Sequence, residues 1–308
     1  MKNFTLKISK LRYNQAKIFN YKTCRFFNNL IQSSNAAKLN PSSTLFIDCR
    51  PEDAFKAGHI KNAVNIHTLF TYLAESTKEG EQKLKDTFQE IFQSKGINGN
   101  EDLVFYEDNV ASLKGVSSRG YYLLNLFGYT DSKLHILHDG FDGWKKSNAS
   151  LVETGEEAPR QKGNFHINFN KKMYIDYQDL EKELNNSKSL LIDVRDLEEW
   201  KGDSSSPYGP NFTPRKGRIP GAKHVLWTDL MKEDGSEFKS PQEIEKIVNS
   251  IGLKDKNQDV IVYCFKGCRS SNSLVALKHA GFNNVRNYLG SWNEWSRNMK
   301  LPIDDSKI

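Results

Sequence analysis

Acidic residues are missing from the first 47 positions of this 308-residue chain. Lys2, Lys7, Lys10, Arg12, Lys17, Lys22, Arg25 and Lys38 all fall there, and the first carboxylate is Asp48. Without that stretch the remainder is close to neutral, although the whole carries +6. That balance argues against a nucleic-acid surface as the main function. Long apolar runs are also missing: nothing approaches the roughly 20 residues that span a bilayer. A soluble protein with no membrane role is expected. Cysteines are few, at 24, 49, 264 and 268, and too scattered for a disulfide framework. No second Cys or His pair sits at zinc-ligand spacing, so neither a metal nor a cofactor is expected.

What the chain does have begins with that basic leader. Phe4, Ile8, Leu11 and Ile18 fall at helical spacing. Residues 1–20 read either as a basic amphipathic helix resembling a mitochondrial presequence or as an irregular basic tail. The first predicts a mitochondrial location, the second leaves the cytoplasm. A secretory signal is disfavoured, because no continuous apolar core is present.

One α/β unit then occurs twice. Ile47, Asp48 and Arg50 recur as Ile192, Asp193 and Arg195, and Gly58-His59-Ile60 as Gly217-Arg218-Ile219. The apolar run Asp102–Tyr106 recurs as Asp259–Tyr263, each followed by a loop and a helical stretch, Arg119–Phe127 and Ser270–Ala280. Gly128 and Gly281 stand where a helix C-terminus would place them. Strands alternating with helices predict mainly parallel, doubly wound sheets flanked by helices. The boundaries read as 21–147 for the first copy, 148–172 for a linker and 173–302 for the second. The second copy also inserts Ser204–Arg215, rich in Ser, Pro and Gly, which reads as exposed irregular chain.

Chemistry is expected at the carboxyl ends of such strands. After Tyr263 the chain reads Cys264-Phe265-Lys266-Gly267-Cys268-Arg269, then Ser270-Ser271 opening a helix. Inward-pointing N–H groups and a helix N-terminus favour an anion at the loop centre. Gly267 frees the backbone, and Lys266 and Arg269 add charge. Cys264 in that place is expected to be a thiolate near neutral pH and the nucleophile. The first copy carries Glu107 in the place of the thiol, followed by the longer loop Asp108–Ser118 whose Asp108 adds a second negative charge, and reads as non-catalytic.

Ile-Asp-Val-Arg, Gly-Arg-Ile-Pro-Gly-Ala, Cys-Phe-Lys-Gly-Cys-Arg-Ser-Ser and Gly-Ser-Trp-Asn-Glu-Trp resemble the two-domain rhodaneses from about Tyr21 to the end. That resemblance implies a sulfurtransferase with thiosulfate or 3-mercaptopyruvate as donor and a thiol or cyanide as acceptor; thioredoxin and glutathione are candidate thiols. Mercaptopyruvate members typically read Cys-Gly-Ser/Thr-Gly-Val-Thr. Thiosulfate members often read Cys-Arg-Lys-Gly-Val-Thr, to which Lys266 and Gly267 correspond, so thiosulfate is the expected donor. Many relatives also place an Arg six residues after the position of Asp193, where this chain has Glu199.

The expected reaction runs through a Cys264 persulfide. Lys266 and Arg269 would hold the sulfonate, and backbone N–H groups from Phe265 through Gly267 and Cys268 to Arg269 would stabilise the thiolate. Asp193 supports the loop, and Arg195 either braces it or meets the substrate. Cys268 fills a variable loop position or serves as a resolving thiol. Two rival functions are a cysteine phosphatase, whose Cys-x5-Arg pattern would need Arg where Ser270 stands, and a non-enzymatic persulfide carrier.

Overall fold

β-Branched and aromatic runs too short to be helices account for the sheet strands, and most are buried on both faces. A computed structural model describes residues 27–185 and 189–308; the basic segment 1–20 and Cys24 lie outside them. The first copy uses β1 (Leu30–Ile31), β2 (Thr44–Asp48), β3 (Val64–Asn65), β4 (Asp102–Tyr106) and β5 (Leu134–Leu137), in the order β1-β5-β4-β2-β3. Every pairing is parallel. The second copy repeats the plan with β6 (Leu190–Asp193), β7 (Lys223–His224), β8 (Val260–Tyr263) and β9 (Val285–Asn287), in the order β9-β8-β6-β7. A parallel bridge from Tyr174 to Asn287 occupies the edge position that β1 fills in the first copy.

Register carries the duplicated motif to equivalent places. Asp48 faces Tyr106, and Asp193 faces Tyr263. The helices that flank the sheets include α1 (Lys78–Ser94), α2 (Val116–Leu126), α3 (Pro241–Asn249) and α4 (Cys268–His279). The two helices after the homologous loops begin earlier than the sequence suggests. Gly115 and Gly267, with φ of 77° and 93°, turn the chain directly into α2 and α4. Gly128 and Gly281 follow their ends in the left-handed region, as expected.

α2 and α4 pack against each other at their N-terminal ends, which brings the two homologous loops together. Ser118 Oγ donates to Asn272 Oδ1 at 2.9 Å, and Arg119 Nη1 reaches Cys268 Sγ at 3.3 Å. One apolar cluster runs across this contact, from Phe105, Tyr122 and Leu123 to Val262, Leu274 and Val275. Much of the stretch 148–172 belongs to the first copy: Val152–Glu153 pairs antiparallel with His59–Ile60, and Phe165 and Ile167 are buried in that cluster. Among the described residues, no helix is long and apolar enough to cross a membrane.

Candidate active site

β8 is buried throughout and delivers Cys264 to the carboxyl end of the sheet. The turn that follows depends on Gly267. Besides its positive φ, a Cβ there would stand 2.6 Å from Leu289 Cδ1 and 3.0 Å from Leu289 O. The tight turn aims the Gly267 N–H at Cys264 Sγ, at 3.1 Å, and Ser270 Oγ donates to the same sulfur at 3.5 Å. From the other side, Ser291 Oγ accepts from the Cys264 N–H, and the N–H groups of Trp292 and Asn293 hold the carbonyls of Cys264 and Phe265.

Cys264 is 1% exposed. Burial alone would push its thiol up, but the Arg269 guanidinium, the Ser270 hydroxyl and backbone N–H groups outweigh it and hold the thiol below its usual value. The sequence marks Ser270 as a helix opener; its hydroxyl at the sulfur is a site feature that sequence reasoning misses.

Arg269 lies elsewhere than expected. Its Nη1 and Nη2 donate to Glu199 at 2.6 and 3.1 Å, and Nη1 also meets Asp196 Oδ2 at 3.0 Å. Asp196 and Glu199 form the capping box of the helix Leu197–Lys201, which fixes both carboxylates. Glu199 therefore serves as the counter-ion of Arg269 within the loop. With its outer nitrogens so engaged, Arg269 acts on the thiol electrostatically and is not disposed to grip a sulfonate.

Arg195 is fully buried, and because its Nε and Nη2 are taken up by neighbouring oxygens the geometry fits the bracing role, not the substrate-binding one. It donates to both Asp193 oxygens and to the Gly217 carbonyl, and it stacks 4.7 Å from the Trp292 ring. Tyr263 Oη donates to Asp193 Oδ2 at 2.6 Å, so Asp193 ties β8 to β6 directly beneath the loop. The first copy repeats this brace in Arg50 and Asp48, where Arg50 Nη1 also pairs with Asp108 at 2.9 Å. Phe265 stands at the position of Asp108, and Arg195 Nη1 has no partner among the described residues.

Lys266 is buried beside the thiol and held by rings. Its Nζ lies 3.9 Å from the Phe70 centroid and 5.1 Å from that of Tyr208. Among the described residues, no carboxylate pairs with it. Burial and the neighbouring Arg119 and Lys114 lower its ammonium to about 8, against the pull of Cys268 and Cys264. Phe70, Lys114 and Arg119 come from the first copy, which thus supplies part of the site wall. The inserted segment Ser204–Arg215 is not simply exposed chain. Ser205, Ser206 and Thr213 are buried, and the rings of Tyr208 and Phe212 stand edge-on to Phe265 at 5.6 and 5.7 Å.

In the first copy, Glu107 fills its own loop. It accepts from the N–H groups of Leu113 and Ser117 and from the hydroxyls of Ser112 and Ser117. Burial still lifts its carboxyl to about 7. The donors that would receive an external anion are occupied by a side chain.

A rhodanese-like domain model matches residues 31–147 and again 176–298. The chain belongs to the rhodanese-like family. It is 29% identical over 223 residues to 3-mercaptopyruvate sulfurtransferase of Escherichia coli (strain K12), covering 72% of this chain and 74% of that one. It is also 29% identical over 260 residues to thiosulfate sulfurtransferase of Corynebacterium glutamicum, covering 81% of each. A crystal structure from Escherichia coli, described by the rhodanese fold of 3-mercaptopyruvate sulfotransferases, superposes with a TM-score of 0.69 at 25% identity, over 86% of this chain and 98% of that one. These similarities support a sulfurtransferase activity and do not distinguish the two donors.

Proposed function

We propose that this rhodanese-like sulfurtransferase takes sulfane sulfur from thiosulfate and passes it, through a Cys264 persulfide, to cyanide or a thiol. The observation that carries this reading is the pairing of a buried, acidified thiol with a buried ammonium, Lys266, that has no carboxylate partner. A buried cation held only by aromatic faces keeps its charge available for an incoming anion.

In the first half-reaction the Cys264 thiolate attacks the outer sulfur of thiosulfate. The S–S bond of the donor breaks, its electron pair leaves with sulfite, and Cys264 becomes a persulfide. The Lys266 ammonium stabilises the charge gathering on the departing sulfite. The Gly267 N–H and the Ser270 hydroxyl, already aimed at Cys264 Sγ, hold the thiolate and then the persulfide. In the second half-reaction the acceptor takes the outer sulfur, as thiocyanate when it is cyanide, and the thiolate is restored. The cycle is ping-pong and needs no general base, because the thiol is already held low.

The chosen donor follows from charge. Thiosulfate carries two negative charges, and near the thiol Lys266, Lys114 and Arg119 have no carboxylate ion pair among the described residues. The test is a side-by-side assay with thiosulfate and 3-mercaptopyruvate, with intact-mass detection of the persulfide. A gain of one sulfur on the wild type with thiosulfate, lost in Cys264→Ser, supports the mechanism. Thiosulfate turnover in Cys264→Ser would sink it, and exclusive use of 3-mercaptopyruvate would reverse the donor assignment.

A further inference from the structure

The two copies differ in length at two places near their functional loops. The first copy has the long loop Asp108–Ser118 where the second has its short cysteine loop, and the second has the insertion Ser204–Arg215 where the first has none. These segments are far apart in sequence, yet they meet beside the cysteine loop. Lys114 Nζ, from the first, lies 5.7 Å from the centroid of Tyr208, from the second. The same ring has Lys266 Nζ at 5.1 Å from its centroid, and Phe265 of the cysteine loop meets it edge-on.

Resting on the sulfur-transfer reading above, we infer that Lys114 and Tyr208 form a donor-selecting gate that favours a doubly charged sulfane-sulfur anion.

Three observations carry this. Lys114 has φ of 59°, a left-handed conformation that a side-chain-bearing residue seldom adopts, so the loop holds it there at some cost. Its ammonium lies within electrostatic reach of Cys264 and Arg269 as well as Asp196 and Glu199, although it belongs to the other domain. Neither Lys114 nor Lys266 forms an ion pair among the described residues; Tyr208 orders both through its ring. An aromatic holder positions a cation without cancelling its charge, whereas the carboxylates on Arg269 do cancel. Two ammonium groups held against one ring beside the thiol loop favour a dianion over a monoanion of the same shape. The thiol itself is buried, whereas Tyr208, which contacts the two lysines and Phe265, is 45% exposed.

The test compares thiosulfate with methanethiosulfonate, a singly charged donor of similar shape that delivers the same sulfur and releases methanesulfinate. For Lys114→Met, kcat/KM with thiosulfate should fall about tenfold, mainly through KM, while that with methanethiosulfonate changes by less than about threefold. Lys114→Arg should keep most of the preference, and Tyr208→Ala should lose it while Tyr208→Phe retains it. Equal losses with both donors, or no loss for Lys114→Met, would overturn the gate and leave the sulfur-transfer reading standing. Failure of the wild type to gain sulfur on Cys264 from either donor would overturn that reading, and the gate with it.

Discussion

Arg269 places its guanidinium on the carboxylate of Glu199, and both side chains are buried. The arrangement resolves an oddity of the sequence, in which an acidic residue stands where many rhodaneses carry an arginine. In this chain the cation stands in the cysteine loop, and the acid holds it. Arg269 is the largest influence lowering the Cys264 thiol, ahead of Ser270 and the backbone. Arg269→Met should therefore raise the pH midpoint of Cys264 alkylation by iodoacetamide. It should also cost about 3–5 kcal/mol of stability, because Glu199 is left buried without its partner. The Arg269→Met, Glu199→Met double variant should recover part of that stability without restoring the low midpoint. An unshifted midpoint in Arg269→Met would remove its assigned role.

Lys266 makes donor use depend on pH. Its ammonium is lowered to about 8, so it loses its charge as pH rises through that value. The KM for thiosulfate should rise above pH 8, and Lys266→Met should show a high KM with no such rise. Stability runs in the opposite sense. Between about 8 and 10.5 the unfolded chain keeps a proton on Lys266 that the native state has lost, so this group adds stability as pH increases across that window. Urea titrations of the wild type and Lys266→Met at pH 8 and 10 give the comparison.

Much of this was legible from local pattern. Short apolar runs ending at Tyr106 and Tyr263, and paired Asp and Arg residues after earlier strands, announce the duplicated sheet. A glycine among cations after β8 announces an anion loop. The remainder depends on contacts between distant segments, which local periodicity does not encode. Glu199 looks like a lost cation until its helix is seen to aim it at Arg269, 70 positions later. The loop Asp108–Ser118 looks like a defect of the silent copy until α2 and α4 pack and carry Lys114 to the other domain. Tyr208 sits in a segment whose composition signals irregular chain. Its position comes from hydrogen bonds such as Thr213 N–H to Ser205 Oγ and from the edge-on contact with Phe265.

Gly267 is the residue of the loop least open to substitution. A side chain there is strained by the positive φ and collides with Leu289. Gly267→Ala should move the N–H that now points at Cys264 Sγ, lowering thiosulfate turnover at least tenfold and stability by about 1–3 kcal/mol. Activity and urea midpoint together give the answer. Normal values of both would show that Leu289 and the loop yield without consequence for the thiol.

Glu107 offers a test of the silent domain that leaves the cysteine loop untouched. Its carboxyl titrates at about 7 in the fold against 4.5 as the unperturbed value, with burial as the cause. Between those values the native state holds a proton that the unfolded chain has released. This group's contribution to stability therefore falls as pH rises from 4.5 to 7, by about 3 kcal/mol in total, and is flat above that. Glu107→Gln cannot ionise, so the decline should be correspondingly smaller in urea titrations at pH 5, 6, 7 and 8. Turnover at saturating thiosulfate should survive the change, since the sulfur-bearing thiol lies on the other sheet. Equal slopes in the two proteins would mean that the four donors around Glu107 hold it ionised throughout, making its loop a filled anion site at every pH tested.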